Sequence, residues 1–217
     1  MRQINGWYLP NDCLYFDRFL EGKDIKENGF QREHLEEAFK HVTRWDYAVD
    51  VGAHIGFWAK DMAERFGKVY CFEASPSNFG CLVKNLAGYD NVELSCLAVG
   101  DKEGYCKIGR DDIRALNSGS EYVTLDKAGS IRMVSLDDCN LPGCDFLKVD
   151  VEGFELAVLR GAKRTIREYK PVIIMECDKK FALRRFGWHD LEAQSFLSKR
   201  GYIQVAHMRP DKVFVPE

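Results

Sequence analysis

Three carboxylates stand where two apolar runs end: Asp150 and Glu152 after Phe146-Leu147-Lys148-Val149, and Glu176 after Val172-Ile173-Ile174-Met175. Strand ends in open α/β sheets face the ligand crevice. The pattern therefore predicts acids converging on one rim, able to position an acceptor and remove its proton. Such a cluster is costly unless a proton, a metal, a lysine or a substrate offsets it. Lys148 falls on the same side of its strand as Asp150 and is the expected partner. Oxygen ligands of this kind suit Mg²⁺ or Ca²⁺, but nothing in the spacing demands an ion and no metal site is assigned. Glu155 falls in the first turn of the following helix, where the dipole stabilises a negative side chain, so capping competes with chemistry as its role.

A second constellation lies upstream. Tyr47-Ala48-Val49-Asp50-Val51 leads into Gly52-Ala53-His54-Ile55-Gly56-Phe57, a short apolar strand with one acid running through two glycines into an amphipathic stretch. A glycine turn at such a junction brings backbone N–H groups and a helix N-terminus up to a polar ligand. Glu73 ends the next apolar run, ~20 residues after Gly52, where nucleotide-binding folds place a carboxylate that accepts from both ribose hydroxyls. The spacing is G-x-x-x-G rather than G-x-G-x-x-G, and bulky His54 replaces the middle glycine past which a pyrophosphate approaches. That argues against NAD and FAD. Asp50 suits a cation better than a phosphate, and S-adenosyl-L-methionine carries an ammonium and a sulfonium but no phosphate. The competing reading is a turn that only packs helix on strand. His54 either lines the acceptor side or points to solvent. His189 and His207 are expected to be structural, and His34 and His41, seven residues apart, mark a helix face.

These residues need a parallel sheet to hold them. Strand and helix signals alternate over 47–51, 56–66, 68–73, 77–88 and 92–99, with Gly67 closing the first helix and Pro76 opening the second. The pattern resumes with strand 145–149, helix 154–168, strand 172–176, helix 191–199 and two last strands near 202–207 and 212–215. Alternation of this kind predicts a parallel sheet with crossover helices. One domain is expected over 1–217: a packed aromatic arm with a helix near 32–43 (1–45), a cofactor-binding half (46–100), an insertion of three short strands (101–136) and the second half of the sheet (137–217). The insertion is a candidate lid, in which Arg110, Arg114, Asn117 and Ser118 either face an acceptor or are solvated loop residues.

The 217 residues suffice for one full core. Lys+Arg 31 against Asp+Glu 34 gives a net charge of -3, with no global basic field for nucleic acid or an anionic membrane. No apolar run is long enough to span a bilayer. Eight cysteines, several inside apolar strands and none in a CxxC pair, read as buried thiols of a reducing compartment. Without an apolar leader at its start, the chain is expected in the cytoplasm.

Over residues 47–177 the chain resembles the FkbM-type methyltransferases of the class I S-adenosylmethionine-dependent superfamily. The resemblance rests on VDVGAHIG (49–56), FEASPSN (72–78), VKNL (83–86), LAVGD (97–101), VSLDD (134–138), FLKVDVEGFELAVLRGA (146–162) and VIIMEC (172–177). KVDVEGFELAVLRGA is the most specific block. FEAS stands where the family usually shows FEP, so Ala74 alters the loop but leaves the Glu73 carboxylate.

The resemblance implies a Rossmann-like, seven-stranded, mostly parallel sheet in the order 3-2-1-4-5-7-6, strand 7 antiparallel, with helices on both faces. It implies S-adenosyl-L-methionine as cofactor. Asp50 and the turn through Gly52, Ala53, His54, Gly56 and Phe57 would face the methionine moiety, and Asp150 would border it. Glu73 would bind the ribose, with Ala74, Ser75 and Asn78 beside it, and Ala98 and Val99 would lie near the adenine. The implied reaction is methylation of a hydroxyl on a small molecule or saccharide, with Asp150, Glu152 and Glu176 as catalytic candidates. Two rival readings stay open: a non-catalytic binding module that keeps the fold and, less favoured, a nucleotide-dependent oxidoreductase.

Overall fold

The computed structural model describes residues 1–22, 29–110, 114–177, 179–189 and 191–217; positions 111–113 of the candidate lid lie outside the described residues. A hairpin opens the chain, with β1 (Arg2–Ile4) and β2 (Trp7–Leu9) antiparallel around Asn5-Gly6. Both turn residues hold positive φ, 46° and 90°, the backbone that Asn-Gly supplies in two-residue hairpin loops. Helices α1 (Asp17–Glu21) and α2 (Arg32–Phe39) follow and bury Leu20, Leu35 and Ala38 in a core shared with the central sheet.

Strands and helices then alternate through β3 (Tyr47–Val51), α3 (Phe57–Ala63), β4 (Lys68–Phe72), α4 (Pro76–Asn85) and β5 (Val92–Ser95). The expected strand 92–99 breaks at Cys96-Leu97, because the chain leaves the central sheet there and enters a second one. That second sheet holds β6 (Ala98–Val99), β7 (Gly104–Gly109), β8 (Tyr122–Leu125) and β9 (Ile131–Val134), in the order β6-β9-β7-β8. The chain continues through β10 (Phe146–Val149), α5 (Glu155–Gly161), α6 (Lys163–Tyr169) and β11 (Val172–Glu176). It ends with α7 (Lys179–Phe186), α8 (Leu191–Ser198), β12 (Tyr202–Met208) and β13 (Asp211–Pro216). The expected helix 154–168 divides at Ala162, next to Gly161, where an added Cβ would lie 1.9 Å from the Gly100 carbonyl oxygen.

The central sheet runs β5-β4-β3-β10-β11-β13-β12, with β13 antiparallel to β11 and the preceding strands parallel. This is the expected 3-2-1-4-5-7-6 order. β10 and β11 are apolar on both faces because both are covered: Phe146 and Ile174 join the core of the arm and α3, while Leu147 and Ile173 pack with Val158, Leu159 and Leu197. No helix among the described residues is long and apolar enough to cross a membrane.

Candidate functional site

A cleft crosses the carboxyl ends of β3, β4, β10 and β11. One wall carries Glu73, Ala74, Asn78, Leu97, Ala98 and Val99. The arm and α3 contribute Tyr15, Phe16, Phe30 and Trp58, and the rim holds Lys148, Asp150, Glu152, Glu176 and Asp211.

The bend after β3 is tight for a packing reason. Gly52 has φ 83°, and a Cβ there would lie 1.8 Å from the Asp150 carbonyl oxygen, so glycine alone permits the contact between this bend and the end of β10. The amides of Gly52 and Ala53 donate to the Phe72 carbonyl at 2.9 and 3.0 Å, and that of Gly56 to the Ala53 carbonyl at 2.9 Å. The His54 amide donates to Glu73 Oε2 at 2.7 Å. This corrects the expectation of N–H groups presented to a ligand: those of 52–54 are engaged within the chain. Gly56 faces α4, where an added Cβ would meet Leu82 Cδ1 at 2.9 Å, and it does not line the cleft.

Glu73 is buried at the cleft wall, Oε1 accepting from the Ser75 amide at 2.8 Å and Oε2 from His54. A carboxylate has about four acceptor sites, so each oxygen keeps one for a ligand hydroxyl. Burial pushes its pKa up to about 7, against the downward pull of those amides and Lys148. Ser75 itself lies outside the cleft lining, and its hydroxyl caps α4 by accepting from the Asn78 amide. Asn78 is 2% exposed; its Nδ2 donates to the Ser118 carbonyl at 3.1 Å and to Glu121 Oε2 at 3.2 Å, while its Oδ1 finds no partner among the described residues. His54 turns inward rather than to solvent, with Nε2 2.8 Å from Ser118 Oγ and its ring 5.3 Å from that of Phe16. Burial, with Lys148 adding to it, lowers its pKa to about 3, so its ring is neutral.

Asp50 does not line the cleft. It is fully buried beneath the rim with Oδ1 3.0 Å from Lys148 Nζ, which corrects its expected place beside the methionine moiety. Lys148 also donates to the Gly52 carbonyl at 2.5 Å and lies 3.9 Å from Asp150 Oδ2, so Asp50 rather than Asp150 is its nearer acid. Burial pulls the Lys148 pKa down, but Asp50 and then Asp150 outweigh it and hold the ammonium above its ordinary range. The Asp150 side chain is 46% exposed. Glu152 sits at φ 55° with Oε2 3.2 Å from Arg185 and 3.8 Å from Arg114. Burial and then Asp150 push its pKa up to about 7. Glu176 is raised well above its ordinary value by burial, then by Asp150 and Glu152. Glu155 accepts from the amides of Val151 and Gly153 at 3.2 and 3.0 Å, so it fixes the loop that carries Glu152. Among the described residues, no group of His, Cys, Asp and Glu is placed to hold a metal ion.

Residues 50–203 match the methyltransferase FkbM domain. The chain belongs to the FkbM methyltransferase family. It is 26% identical over 177 residues to the hexuronic acid methyltransferase AglP of Haloferax volcanii, covering 79% of this chain and 72% of AglP. It is also similar to the solved structure of methyltransferase FkbM from Methylobacillus flagellatus, at TM-score 0.51 and 22% identity, covering 79% of this chain but only 43% of that one. The precorrin-6y C5,15-methyltransferase of Geobacter metallireducens gives TM-score 0.53 at 13% identity, covering 87% and 90%. These structural likenesses establish the class I methyltransferase fold.

In this FkbM-family chain the rim holds one acid that the sequence reading missed. Asp211 heads β13 in register with Glu176, and its Oδ2 lies 2.7 Å from His34 Nδ1 on α2. Burial, then Asp150, pushes its pKa up to about 6. Glu155 joins Glu73 and Glu152 at about 7, burial again the largest cause. The fold thus holds protons that the unfolded chain releases near 4.5 for Glu and 3.8 for Asp. Stability of the unliganded protein is therefore expected to decline as pH rises from about 4.5 to about 7. His54, near 3 instead of 6.5, acts in the opposite sense, one group against Glu73, Glu152, Glu155, Glu176 and Asp211. A thermal-denaturation series should show Tm falling across that window; a rise would mean that the rim is ionised in the unliganded fold.

Proposed function

We propose that this chain is an S-adenosyl-L-methionine-dependent methyltransferase acting on a hydroxyl of a sugar or similar small molecule. Glu73 carries the reading: a buried carboxylate with each oxygen held by one amide and each keeping a site for one hydroxyl of a vicinal diol. Asn78 Oδ1 offers a second buried acceptor, and Leu97, Ala98, Val99 and Phe154 offer an apolar slot for a flat base. The engaged amides of the bend disfavour a phosphate, so the residues present fit a nucleoside without one.

When bound, the cofactor supplies a methyl group activated by its sulfonium. The protein then has to align the acceptor and take its proton. Asp150, exposed at the rim with Lys148 3.9 Å away, takes the hydroxyl proton. Glu152 is locked by Arg185 and Glu155 fixes the loop, so the acceptor meets a preset rim. A saccharide acceptor is supported by the name of AglP, and the eight free cysteines fit a reducing cytoplasm.

Isothermal titration with S-adenosylhomocysteine tests the reading. Hydrogen bonds to a charged group contribute about 1.5–3 kcal/mol, so Glu73→Gln is expected to raise Kd roughly 10- to 100-fold. Binding to the wild type should weaken as pH falls below about 7, where Glu73 gains its proton. Undiminished binding by the variant would remove the basis of the assignment.

A further inference from the structure

We propose that the acceptor is an uncharged polyhydroxyl compound, its C–H face laid on the aromatic wall of the N-terminal arm and its hydroxyls read by Glu176 and Asp211, and that a hexuronate is discriminated against. This rests on the hydroxyl-methylation reading above and adds the charge class of the acceptor.

The first ground is the charge of the lining. Among the described residues, the cleft is lined by Glu73, Glu121, Asp150, Glu152, Glu176 and Asp211, against one lysine and no arginine. Glu121 is matched by Arg110, and Glu152 by Arg185 and Arg114, none of the three among the residues that line the cleft. Lys148 is engaged by Asp50 and the Gly52 carbonyl. Glu73 is assigned to the cofactor ribose above. What surrounds the acceptor space is Asp150, Glu176 and Asp211, the last two cross-strand neighbours, with His34 as the basic contact of Asp211. At pH 8, above the pKa of Asp211, an acceptor carboxylate placed there meets like charge, and among the described residues that line the cleft the one lysine is already engaged, a costly arrangement. Hydroxyls suit the same groups, because a carboxylate accepts from them and a carboxylic acid also donates.

The second ground is the aromatic part of the lining. Phe16 and Phe30 lie 5.4 Å apart between ring centroids and line the cleft together with Tyr15 and Trp58. Tyr15, which also lines the cleft, is 63% exposed, a large aromatic left uncovered. A ring face is electronegative and attracts the polarised C–H face of a sugar while offering nothing to a carboxylate. Tyr15, Phe16 and Phe30 lie outside the span 50–203 that matches the family domain.

Labelled methyl transfer at pH 8 to paired methyl glycosides, glucoside against glucuronide and galactoside against galacturonide, tests the proposal. The neutral member of each pair is expected to show at least about tenfold higher kcat/KM. Tyr15→Ala should raise KM for the neutral glycoside about fivefold with kcat within about twofold. Asp211→Asn, if its melting curve stays native, should narrow the neutral-to-uronate gap; Glu176→Gln serves the same purpose if it does not. Equal or better use of the uronates overturns the charge assignment and leaves hydroxyl methylation standing. An unchanged KM in Tyr15→Ala overturns the stacking role. No transfer to any member, with S-adenosylhomocysteine still bound, overturns the sugar-acceptor reading itself and the proposal with it.

Discussion

Asp150→Asn is expected to lower kcat by about 10²- to 10⁴-fold, the range that a positioned general base contributes, with S-adenosylhomocysteine binding within about threefold of wild type. The side chain is 46% exposed and reaches the cleft, with Lys148 3.9 Å away as a fixed cation. Its neighbours are less free to meet an acceptor: Glu152 is held by Arg185 and Arg114, and burial, then the surrounding acids, keep Glu176 protonated to a higher pH than an ordinary glutamate. Asparagine keeps the shape and removes the proton acceptor. Single-turnover transfer to a confirmed acceptor is the measurement, and unchanged turnover would move the base to Glu152 or Glu176.

Lys148→Met is expected to cost about 3–5 kcal/mol of stability, the usual loss when one partner of a buried ion pair is removed. The reason is Asp50, fully buried with the ammonium 3.0 Å away as its ion-pair partner. Against a total stability of about 5–15 kcal/mol, that loss corresponds to a Tm lower by roughly 6–20 °C. The double variant Asp50→Asn, Lys148→Met removes the stranded charge and should recover a large part of the difference. If the double variant melts no higher than the single one, the two side chains are not coupled.

The central sheet was legible because β3, β4, β10 and β11 are apolar runs bounded by glycine turns and helix signals, and both chemical constellations lie at their ends. The N-terminal hairpin was not read from the sequence, where only a packed arm was expected, since strands of three residues show no periodicity. Asp211 and His34 escaped because what makes them part of the rim is pairing across the fold, β13 against β11 and α2 against β13. Asp50 misled for a related reason. Its position at a strand end suggested the cleft, but alternation turns it toward Lys148, and one step along the strand separates a ligand contact from a buried counter-ion. The amides of 52–54 likewise gave no local sign that the Phe72 carbonyl and Glu73 would take them.

The absent side chain of Gly52 joins the floor of the cleft into one rigid body. Its α-carbon is pressed so closely on the Asp150 carbonyl that not even a methyl group fits between the two backbones. The bend and the strand end that carries the base therefore cannot drift independently. Their relative alignment is settled once β3 and β10 pair, before any small molecule arrives, and differences in turnover among acceptors should then originate in the outer wall rather than in the floor.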